Sequence, residues 1–386
     1  MINNIYVSHY VGLSGVGGVQ RNFIEYLDYA TKHDINIKHK VYTLGNVDKE
    51  YCPSNVKIKS IKSFFNFIIF ISEVISKNHI VHFYNNLTSA KVAFMLLFIP
   101  TKKVIFHERG SAWNLDKKKS FIVKIIVWKS SIVLVNSFAT KTILVKKFLI
   151  KDDKIVVMHN GINTKHKCIK KYANLSLNSF FHVGLIGRLD TPKSVDVAIE
   201  SMKYLTKEKI ILSIAGDGVL MDFLTRQAKE LKNIRFIGRI SDPYNFISSL
   251  DMLIVPSIRE PLGNVCLEAG LCYTPVLATN IDGIPEIIKH RYSGELIDPT
   301  QKIIKKNIKG ELPIPDYVVN PKTQTLQKPL QIDPIKLAAT IINWKDSPIK
   351  ILKYSKNLHN IVINDFSISR YTRDLHKMYR LISNYN

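Results

Sequence analysis

The sequence predicts an α/β protein built from two doubly wound domains, each with a parallel sheet between layers of helices. Three observations lead to this prediction. The chain of 386 residues exceeds the roughly 250 to 300 residues at which single cores stop growing. Short apolar runs of strand length alternate with helix-length stretches in both halves of the chain. A polar, lysine-rich stretch after Gly161 separates the two alternating series.

The N-terminal half, residues 1–165, begins with a strand, a glycine-rich loop and a helix. The strand is predicted at 5–8, the loop at 12–18 and the helix at 19–33, which is the first unit of an alternating domain. The C-terminal helix, about 366–386, is expected to pack back on this half. Further strands are predicted at 40–43, 80–83, 104–106, 132–135 and 155–158.

The second half follows a linker at 166–179 and covers residues 180–365. Residues 300–334 contain five prolines and show no clear period, so they are predicted to be an insertion. In open sheets of this kind ligands bind at the carboxyl ends of the strands, and two such domains facing one another predict an interdomain cleft. The strands of this half are predicted at 181–187, 211–216, 234–238, 252–256 and 275–279.

The charge balance favours a polyanionic partner. The chain has 55 Lys and Arg against 31 Asp and Glu, a formal charge of +24, which suits membrane phospholipid, nucleic acid or a charged substrate. Between residues 116 and 154, ten lysines alternate with apolar segments. This stretch is either an amphipathic helix on an anionic membrane surface or ordinary core with solubilising lysines. Nucleic acid is not the expected partner, because no zinc finger or RNP motif is present.

Compartment and membrane topology follow from the start of the chain and its apolar runs. The N-terminus has no basic segment leading into an apolar core, so a cytoplasmic protein is expected. The longest apolar runs, 64–71 and 92–99, fall short of the ~18 residues that span a bilayer and are predicted to be buried. The cysteines form no C-x-x-C pair and are expected to be buried thiols; they are Cys52, Cys168, Cys266 and Cys272.

Two loop-to-helix junctions can hold phosphate. Gly17 and Gly18 end a turn whose backbone N–H groups point at the helix start, although glycines there also allow tight packing. A dinucleotide fingerprint fails because Gln20 stands where a small residue is needed. Residues 187–194 resemble a P-loop, but Pro192 replaces a required glycine. The cations of this segment, Arg188 and Lys193, still suit a diphosphate.

A third junction is REPLGNVCLEAG, residues 259–270. Asn264 is expected to cap the helix that follows, with Glu268 near the first turn and Glu260 in the preceding loop. The helix start would supply N–H groups for phosphate, while the two carboxylates accept hydrogen bonds from hydroxyl groups on either side. A nucleoside diphosphate sugar has this layout of sugar hydroxyls, diphosphate and ribose hydroxyls.

Six motifs together resemble the retaining glycosyltransferases of the GT-B fold, family 4 (group 1), in which two Rossmann-like domains face a cleft. REPLGNVCLEAG is similar to the E-x7-E signature of that group. The resemblance extends over residues 17 to 288. The other motifs are GGVQ at 17–20, Asn160-Gly161, GLIGRLDTPKS at 184–194, AGDG at 215–218 and DGIPEII at 282–288.

The resemblance implies roles for particular residues. The N-terminal domain would bind the acceptor and the second domain the donor. Glu260 would contact the hydroxyls of the donor sugar and Glu268 the ribose, while His107, in FHERG, would face the sugar. No D-x-D motif is present, so no metal is expected, and the nucleotide sugar is a co-substrate rather than a cofactor. The groups expected to bind the diphosphate are Arg188, Lys193 and the N–H groups of Gly17, Gly18, Asn264 and Val265.

The resemblance implies transfer of a hexose from a nucleoside diphosphate sugar to a growing surface glycan. UDP is the expected nucleotide. The basic and apolar stretch at 116–154 leads to the further expectation of a lipid-linked acceptor, as in lipopolysaccharide, O-antigen or capsule assembly. Such an enzyme would be peripheral on the inner face of the cell membrane. The alternatives are a nucleotide-sugar epimerase or glucan synthase of the same fold, and a non-catalytic protein that binds polyanions or membrane surfaces through its positive charge.

Overall fold

The computed structural model describes residues 4–15, 17–53, 55–76, 79–98, 103–166, 168 and 180–384. The chain forms two compact units. Unit 1 comprises Met1–Asn163 and Phe366–Asn386, and unit 2 comprises Thr164–Asp365. Most of the predicted linker, 166–179, lies outside the described residues, which include only His166 and Cys168 of that segment.

Unit 1 contains a seven-stranded parallel sheet in the order β3-β2-β1-β4-β5-β6-β7. The sequence predicted each of these strands except β3, a three-residue strand with the sequence IKS. The central strands are almost wholly buried, as expected for parallel strands covered on both faces. The elements are β1 (Ile5–Tyr10), α1 (Gly18–His33), β2 (Ile37–Thr43), β3 (Ile58–Ser60), α2 (Phe64–Ile75), β4 (His79–Tyr84), α3 (Ala90–Leu97), β5 (Val104–Glu108), α4 (Ser120–Lys129), β6 (Ile132–Val135), α5 (Phe138–Phe148) and β7 (Ile155–Val157).

Unit 2 contains a six-stranded parallel sheet in the order β10-β9-β8-β11-β12-β13, together with an antiparallel hairpin. The prediction of two parallel α/β sheets is therefore confirmed. The elements are β8 (Phe181–Ile186), α6 (Val195–Met202), β9 (Ile210–Ala215), α7 (Met221–Gln227), β10 (Ile234–Gly238), α8 (Pro243–Ser248), β11 (Met252–Val255), α9 (Asn264–Leu271), β12 (Val276–Thr279), α10 (Ile284–Ile287), β13 (Gly294–Ile297), β14 (Val318–Asn320), β15 (Thr325–Gln327), α11 (Pro334–Lys345) and α12 (Pro348–Asp365). A last helix, α13 (Ile368–Ser383), belongs to unit 1.

Helix α13 covers one face of the unit 1 sheet beside α1. Its side chains Tyr371, Leu375 and Tyr379 are buried in the same core as residues of α1 and β1. The hydroxyl oxygen of Tyr379 lies 2.7 Å from Nδ1 of His82. Tyr371 meets Tyr26 of α1 edge to face, with ring centroids 5.6 Å apart. The last helix of the chain is therefore part of the first sheet's core.

The prediction that the two long apolar runs are buried is wrong for their outer sides. In α2, Phe70 is buried but Phe64 and Phe65 are exposed. In α3, Leu96 is buried but Phe94 is exposed. A helix that packs on a sheet buries only the stripe facing it, so a run that is apolar all round leaves apolar side chains outside. In the described parts of the chain, no helix has both the length and the apolar character needed to cross a bilayer.

The proline-rich segment at 300–334 has more structure than its sequence indicates. It contains the hairpin β14–β15, and Val318 and Val319 of β14 are fully buried. Gln301 and Gln331 form a bridge at the base of the segment. Strands of three residues are too short to show the alternation of side chains that identifies a strand in sequence. This segment is therefore a packed part of unit 2.

Replacing Tyr371 tests the role of α13 in the core of unit 1. We expect Tyr371→Ala to lower the free energy of unfolding by about 3–5 kcal/mol, because removing a large buried aromatic side chain leaves a cavity. Leu381→Ala is the matched control, since Leu381 lies on the same helix and is exposed. Urea unfolding followed by circular dichroism measures both. Equal effects of the two substitutions would contradict the packing described.

Candidate functional site

The strand order of unit 2 defines where a ligand is expected. From β8 the chain crosses to β9 on one side, and β11 lies on the other side of β8. The order therefore reverses between β8 and β11, and in doubly wound sheets ligands bind at the carboxyl ends of the strands at this point. Residues 187–194 follow β8 and residues 256–263 follow β11. These two loops contain Arg188, Lys193 and Glu260.

An ion pair joins the two loops. The Nζ atom of Lys193 lies 2.5 Å from Oε2 of Glu260, and the hydroxyl of Ser257 lies 3.4 Å from the same oxygen. Glu260 is buried, so Lys193 supplies the positive charge that its carboxylate needs. Arg188 is more exposed and pairs through Nε with Asp190 at 2.6 Å. The structure thus brings both predicted cations and one predicted carboxylate to the same edge of the sheet.

Two glycines of the AGDG motif allow the loop after β8 to pack closely. Gly216 has φ +141°, and a Cβ there would lie 1.9 Å from the carbonyl oxygen of Gly187. A Cβ on Gly218 would lie 2.4 Å from the carbonyl oxygen of Leu189. Any side chain at these positions would push the loop away from the strand end. The glycines therefore set the position from which Arg188 and Lys193 extend.

Asp282, for which the sequence suggested no role, holds the loop that carries Glu260. Its carboxylate accepts the N–H of Glu260 at 2.9 Å and the N–H of Val319, in β14, at 2.7 Å. Burial raises the pKa of Asp282 to about 7, against the opposing effects of these donors and of the charge on Arg259. The DGIPEII motif marked this position, but its partner in the insertion lies 37 residues away and has no signal in the sequence.

Helix α9 differs from its prediction at its start. Gly263, with φ +98°, is the N-cap, and Asn264 is the first helical residue rather than the cap. Glycine is favoured there because the cap adopts a left-handed conformation. Glu268 is the fifth residue of the helix and half-buried, so it lies in the second turn and not near the first. The helix start at Asn264 and Val265 still presents the positive end of the helix dipole.

His107 lies inside unit 1 among aromatic rings. It is fully buried and stacks on His82 and Tyr84, with ring centroids 5.5 and 5.6 Å apart. Neither ring nitrogen has a hydrogen-bond partner within the described part of the chain. Burial, followed by the charge of Arg109, holds the pKa of His107 well below its ordinary value. The imidazole is therefore neutral, and its contact with a sugar stays a prediction.

The predicted glycine turn lies at the start of α1. Gly17 is the N-cap of α1 in an extended conformation, and Gly18 is the first helical residue. Phosphate binding at these N–H groups remains a prediction.

A buried polar network near this turn was not predicted from the sequence. Arg109 donates through Nη2 to the side chains of Asn22 and Asn160, the latter at 2.6 Å. Asn22 in turn donates to the carbonyl of Gly161. From α13, Arg370 donates to the carbonyl of Asn160 at 3.0 Å. The Asn160-Gly161 motif therefore ties the end of β7 to α1 and α13.

Known glycosyltransferases are similar to parts of this chain. Residues 175–310, which lie in unit 2, match the family described as "Glycosyl transferases group 1". Glycosyltransferase MJ1607 of Methanocaldococcus jannaschii is 28% identical over 206 residues, 49% of this chain and 53% of that protein. The chain thus spans about half the length of this curated relative.

A second relative and a solved structure extend over more of the chain. The Escherichia coli UDP-Gal:alpha-D-GlcNAc-diphosphoundecaprenol alpha-1,3-galactosyltransferase is 26% identical over 274 residues, 64% of this chain and 69% of that protein. The crystal structure of Anabaena Alr3699/HepE in complex with UDP and glucose has a TM-score of 0.73 at 18% identity, covering 98% of this chain and 100% of that chain. At this identity the likeness establishes the fold, which is the GT-B fold with its two Rossmann-like domains.

Asp282→Asn tests the contact between the site and the insertion. The folded pKa of about 7 lies above the ~3.9 of an unfolded aspartate. Stability from this group is therefore complete below about pH 4 and is lost as the pH rises to about 7. We expect Asp282→Asn to lose less stability than the wild type across this pH window. At low pH its free energy of unfolding should be about 1–3 kcal/mol lower than that of the wild type, because one N–H loses its acceptor.

Scanning calorimetry at about pH 4.5 and about pH 8 measures both effects. Asp316→Asn is the control, because Asp316 lies in the same insertion and is exposed. An identical pH dependence in the wild type and in Asp282→Asn would show that Asp282 does not titrate in this range.

Proposed function

We propose that the chain is a retaining glycosyltransferase that moves a hexose from a UDP sugar to a growing, lipid-linked surface glycan. The observation that carries the proposal is the Lys193–Glu260 pair at the reversal point between β8 and β11. It lies within the segment that matches the group 1 glycosyltransferases. A paired cation and carboxylate at this edge suit a ligand with both phosphates and hydroxyl groups.

The diphosphate of the donor would bind to the cations after β8 and to the start of α9. Arg188 is exposed and offers a planar fork for phosphate oxygens. Lys193 already holds the carboxylate of Glu260, and its three N–H donors can also reach a phosphate. The N–H groups of Asn264 and Val265 lie at a helix start, where anions are stabilised. These groups would together neutralise a diphosphate without a bound metal ion.

The two glutamates would bind hydroxyl groups on either side of the diphosphate. Glu260 lies in the loop before α9 and would accept hydrogen bonds from the hydroxyls of the donor sugar. Glu268 lies in the second turn of α9 and would accept them from the ribose. The lysine and serine contacts of Glu260 fix its orientation before the sugar arrives. Glu260 is a positioning group in this proposal and not a nucleophile.

Charge stabilisation is the main catalytic contribution that these residues can make. When the bond from the sugar to the phosphate breaks, positive charge develops on the sugar and negative charge on the diphosphate. The oxygen of the acceptor hydroxyl forms the new bond to the sugar on the face from which the diphosphate departs. Its proton passes to an oxygen of the departing diphosphate. Arg188 and Lys193 would stabilise the departing diphosphate, and such preorganised charge is usually the largest catalytic effect.

The choice of UDP and of a lipid-linked acceptor rests on the relatives. Alr3699/HepE was crystallised with UDP and glucose. The galactosyltransferase of E. coli is named for a UDP-Gal donor and a diphosphoundecaprenol acceptor. These proteins share the fold or part of the sequence with this chain, and they support a UDP sugar as the first donor to test.

Calorimetric titration with UDP, GDP and ADP sugars tests the donor site. We expect one of them to bind the wild type without added metal. Glu268→Ala should bind it about 10- to 100-fold more weakly, because hydrogen bonds to a charged group contribute about 1.5–3 kcal/mol. Glu230→Ala is the matched control, since Glu230 is an exposed glutamate of the same unit and should leave the affinity unchanged.

Two outcomes would contradict the proposal. If no sugar nucleotide binds, even with magnesium, and DNA or heparin binds in a salt-sensitive way, the chain is a polyanion-binding protein. If the bound donor yields free nucleotide or an altered sugar without any acceptor, an epimerase becomes the better account.

A further inference from the structure

The outer sides of three helices in unit 1 form an exposed aromatic surface. The exposed fractions of six of their side chains run from 65 to 78%, which is unusual for large apolar residues. Four smaller contributors, Phe67, Ile68, Ile75 and Leu97, are exposed on the same helices. We call the six the aromatic face: Phe64 and Phe65 of α2, Phe94 and the adjoining Phe98 of α3, and Phe121 and Trp128 of α4.

The three helices cover the same face of the sheet. In the order β3-β2-β1-β4-β5-β6-β7, the crossovers through α2, α3 and α4 all run in one direction across the sheet. Right-handed crossovers in one direction place their helices on one side. On the inner side of α2, Phe70 meets Phe83 of β4, which stacks on Phe106 of β5 at 4.8 Å. The aromatic face is therefore the solvent side of a single helical layer.

Positive charge surrounds this surface. Between residues 62 and 129 the sequence has ten lysines and three acids. Two of the acids, Glu73 and Glu108, are buried and hydrogen-bonded, so of the three acids in this range only Asp116 is exposed. The ammonium of Lys129 lies 5.0 Å from the centre of the Trp128 ring. Among the lysines of this range whose side chains the structure describes, the exposed ones are Lys62, Lys91, Lys118, Lys119 and Lys124.

This combination fits an anionic lipid surface better than a protein or a nucleic acid. Protein interface cores are enriched in aromatic residues but depleted in lysine. Nucleic acid binding uses aromatic rings to stack on bases, and the exposed aliphatic residues Ile68, Ile75 and Leu97 have no such use. Apolar side chains in the acyl region with lysines at the headgroups are typical of proteins that lie on membranes.

We propose that the aromatic face enters the headgroup region of a membrane rich in anionic phospholipid, with the surrounding lysines on the phosphates. The surface differs from the basic stretch at 116–154 that the sequence suggested. Helix α4 contributes to it, but Ile143, Leu144 and Phe148 of α5 are buried core. The inference rests on unit 1 alone and does not depend on the donor assigned to unit 2.

Vesicle binding of the full chain tests the proposal. We expect the wild type to sediment with phosphatidylcholine vesicles that contain phosphatidylglycerol and not with phosphatidylcholine alone, and added salt should weaken the binding. Of the three tryptophans, Trp113 and Trp344 are buried and Trp128 is exposed. Binding should therefore shift tryptophan emission to the blue, and Trp128→Phe should lose this shift.

Paired variants separate the apolar and charged parts. Phe64→Ser/Phe65→Ser should bind the mixed vesicles at least about 10-fold more weakly, since two apolar insertions are lost. Lys118→Glu/Lys119→Glu leaves the rings in place and should reduce binding to anionic vesicles to a similar extent. Tyr204→Ser, an exposed aromatic of unit 2, is the control and should bind like the wild type. Each variant should first be shown to have the melting temperature of the wild type, so that weaker binding does not reflect a loss of folding.

Three results would overturn the proposal. One is the absence of binding to any vesicle. A second is unchanged binding by both double variants. The third is a dimer that Phe64→Ser/Phe65→Ser converts to a monomer without any vesicle binding, because a second copy of the chain would then cover the aromatic face. A failure of donor binding in unit 2 would leave the vesicle result standing.

Discussion

The ion pair between Lys193 and Glu260 is the contact on which the site of unit 2 depends. It joins the loop after β8 to the loop after β11, and these are the strands between which the order of the sheet reverses. Contacts elsewhere in unit 2 hold both of these loops in place. The backbone of Gly216 against Gly187 fixes the first loop, and Asp282 fixes the second through the N–H of Glu260. A cation and a carboxylate are thus held at the place where doubly wound sheets bind ligands.

The insertion of unit 2 takes part in this arrangement. Val319, in β14, donates to the same carboxylate of Asp282 that holds Glu260. Glu311 accepts the hydroxyl of Thr191 at 2.7 Å, two residues before Lys193. The insertion therefore contacts both loops of the candidate site, one through Asp282 and one through Thr191. A segment that has no clear period in sequence supports the residues expected to bind the donor.

The sequence predicted the two sheets and most of the candidate site because both depend on local signals. Buried parallel strands are continuous apolar runs, so the strands of both sheets were found except β3, of three residues, and β13, whose sequence GELI is not a continuous apolar run. The cations and glutamates stood in recognisable loops. Asn264 was wrongly predicted to be the N-cap. Gly263, in a left-handed conformation, is the N-cap, so the helix already begins at Asn264. The partners of Asp282 and Arg109 lie 37 and 87 residues away, and the exposure of Phe64 depends on what covers α2. Such contacts are decided by tertiary packing, which a single sequence does not reveal.

The most direct test of the central claim is amide hydrogen exchange of the whole chain with each of UDP, GDP and ADP. The account predicts that one nucleotide slows exchange in the peptides covering 187–194 and 259–271, because the diphosphate would hold both loops and the start of α9 at once. Exchange in peptides from α2, α3 and α4 of unit 1 should be unaffected. If the bound nucleotide protects only other segments, the Lys193–Glu260 pair is a structural contact and the donor site lies elsewhere.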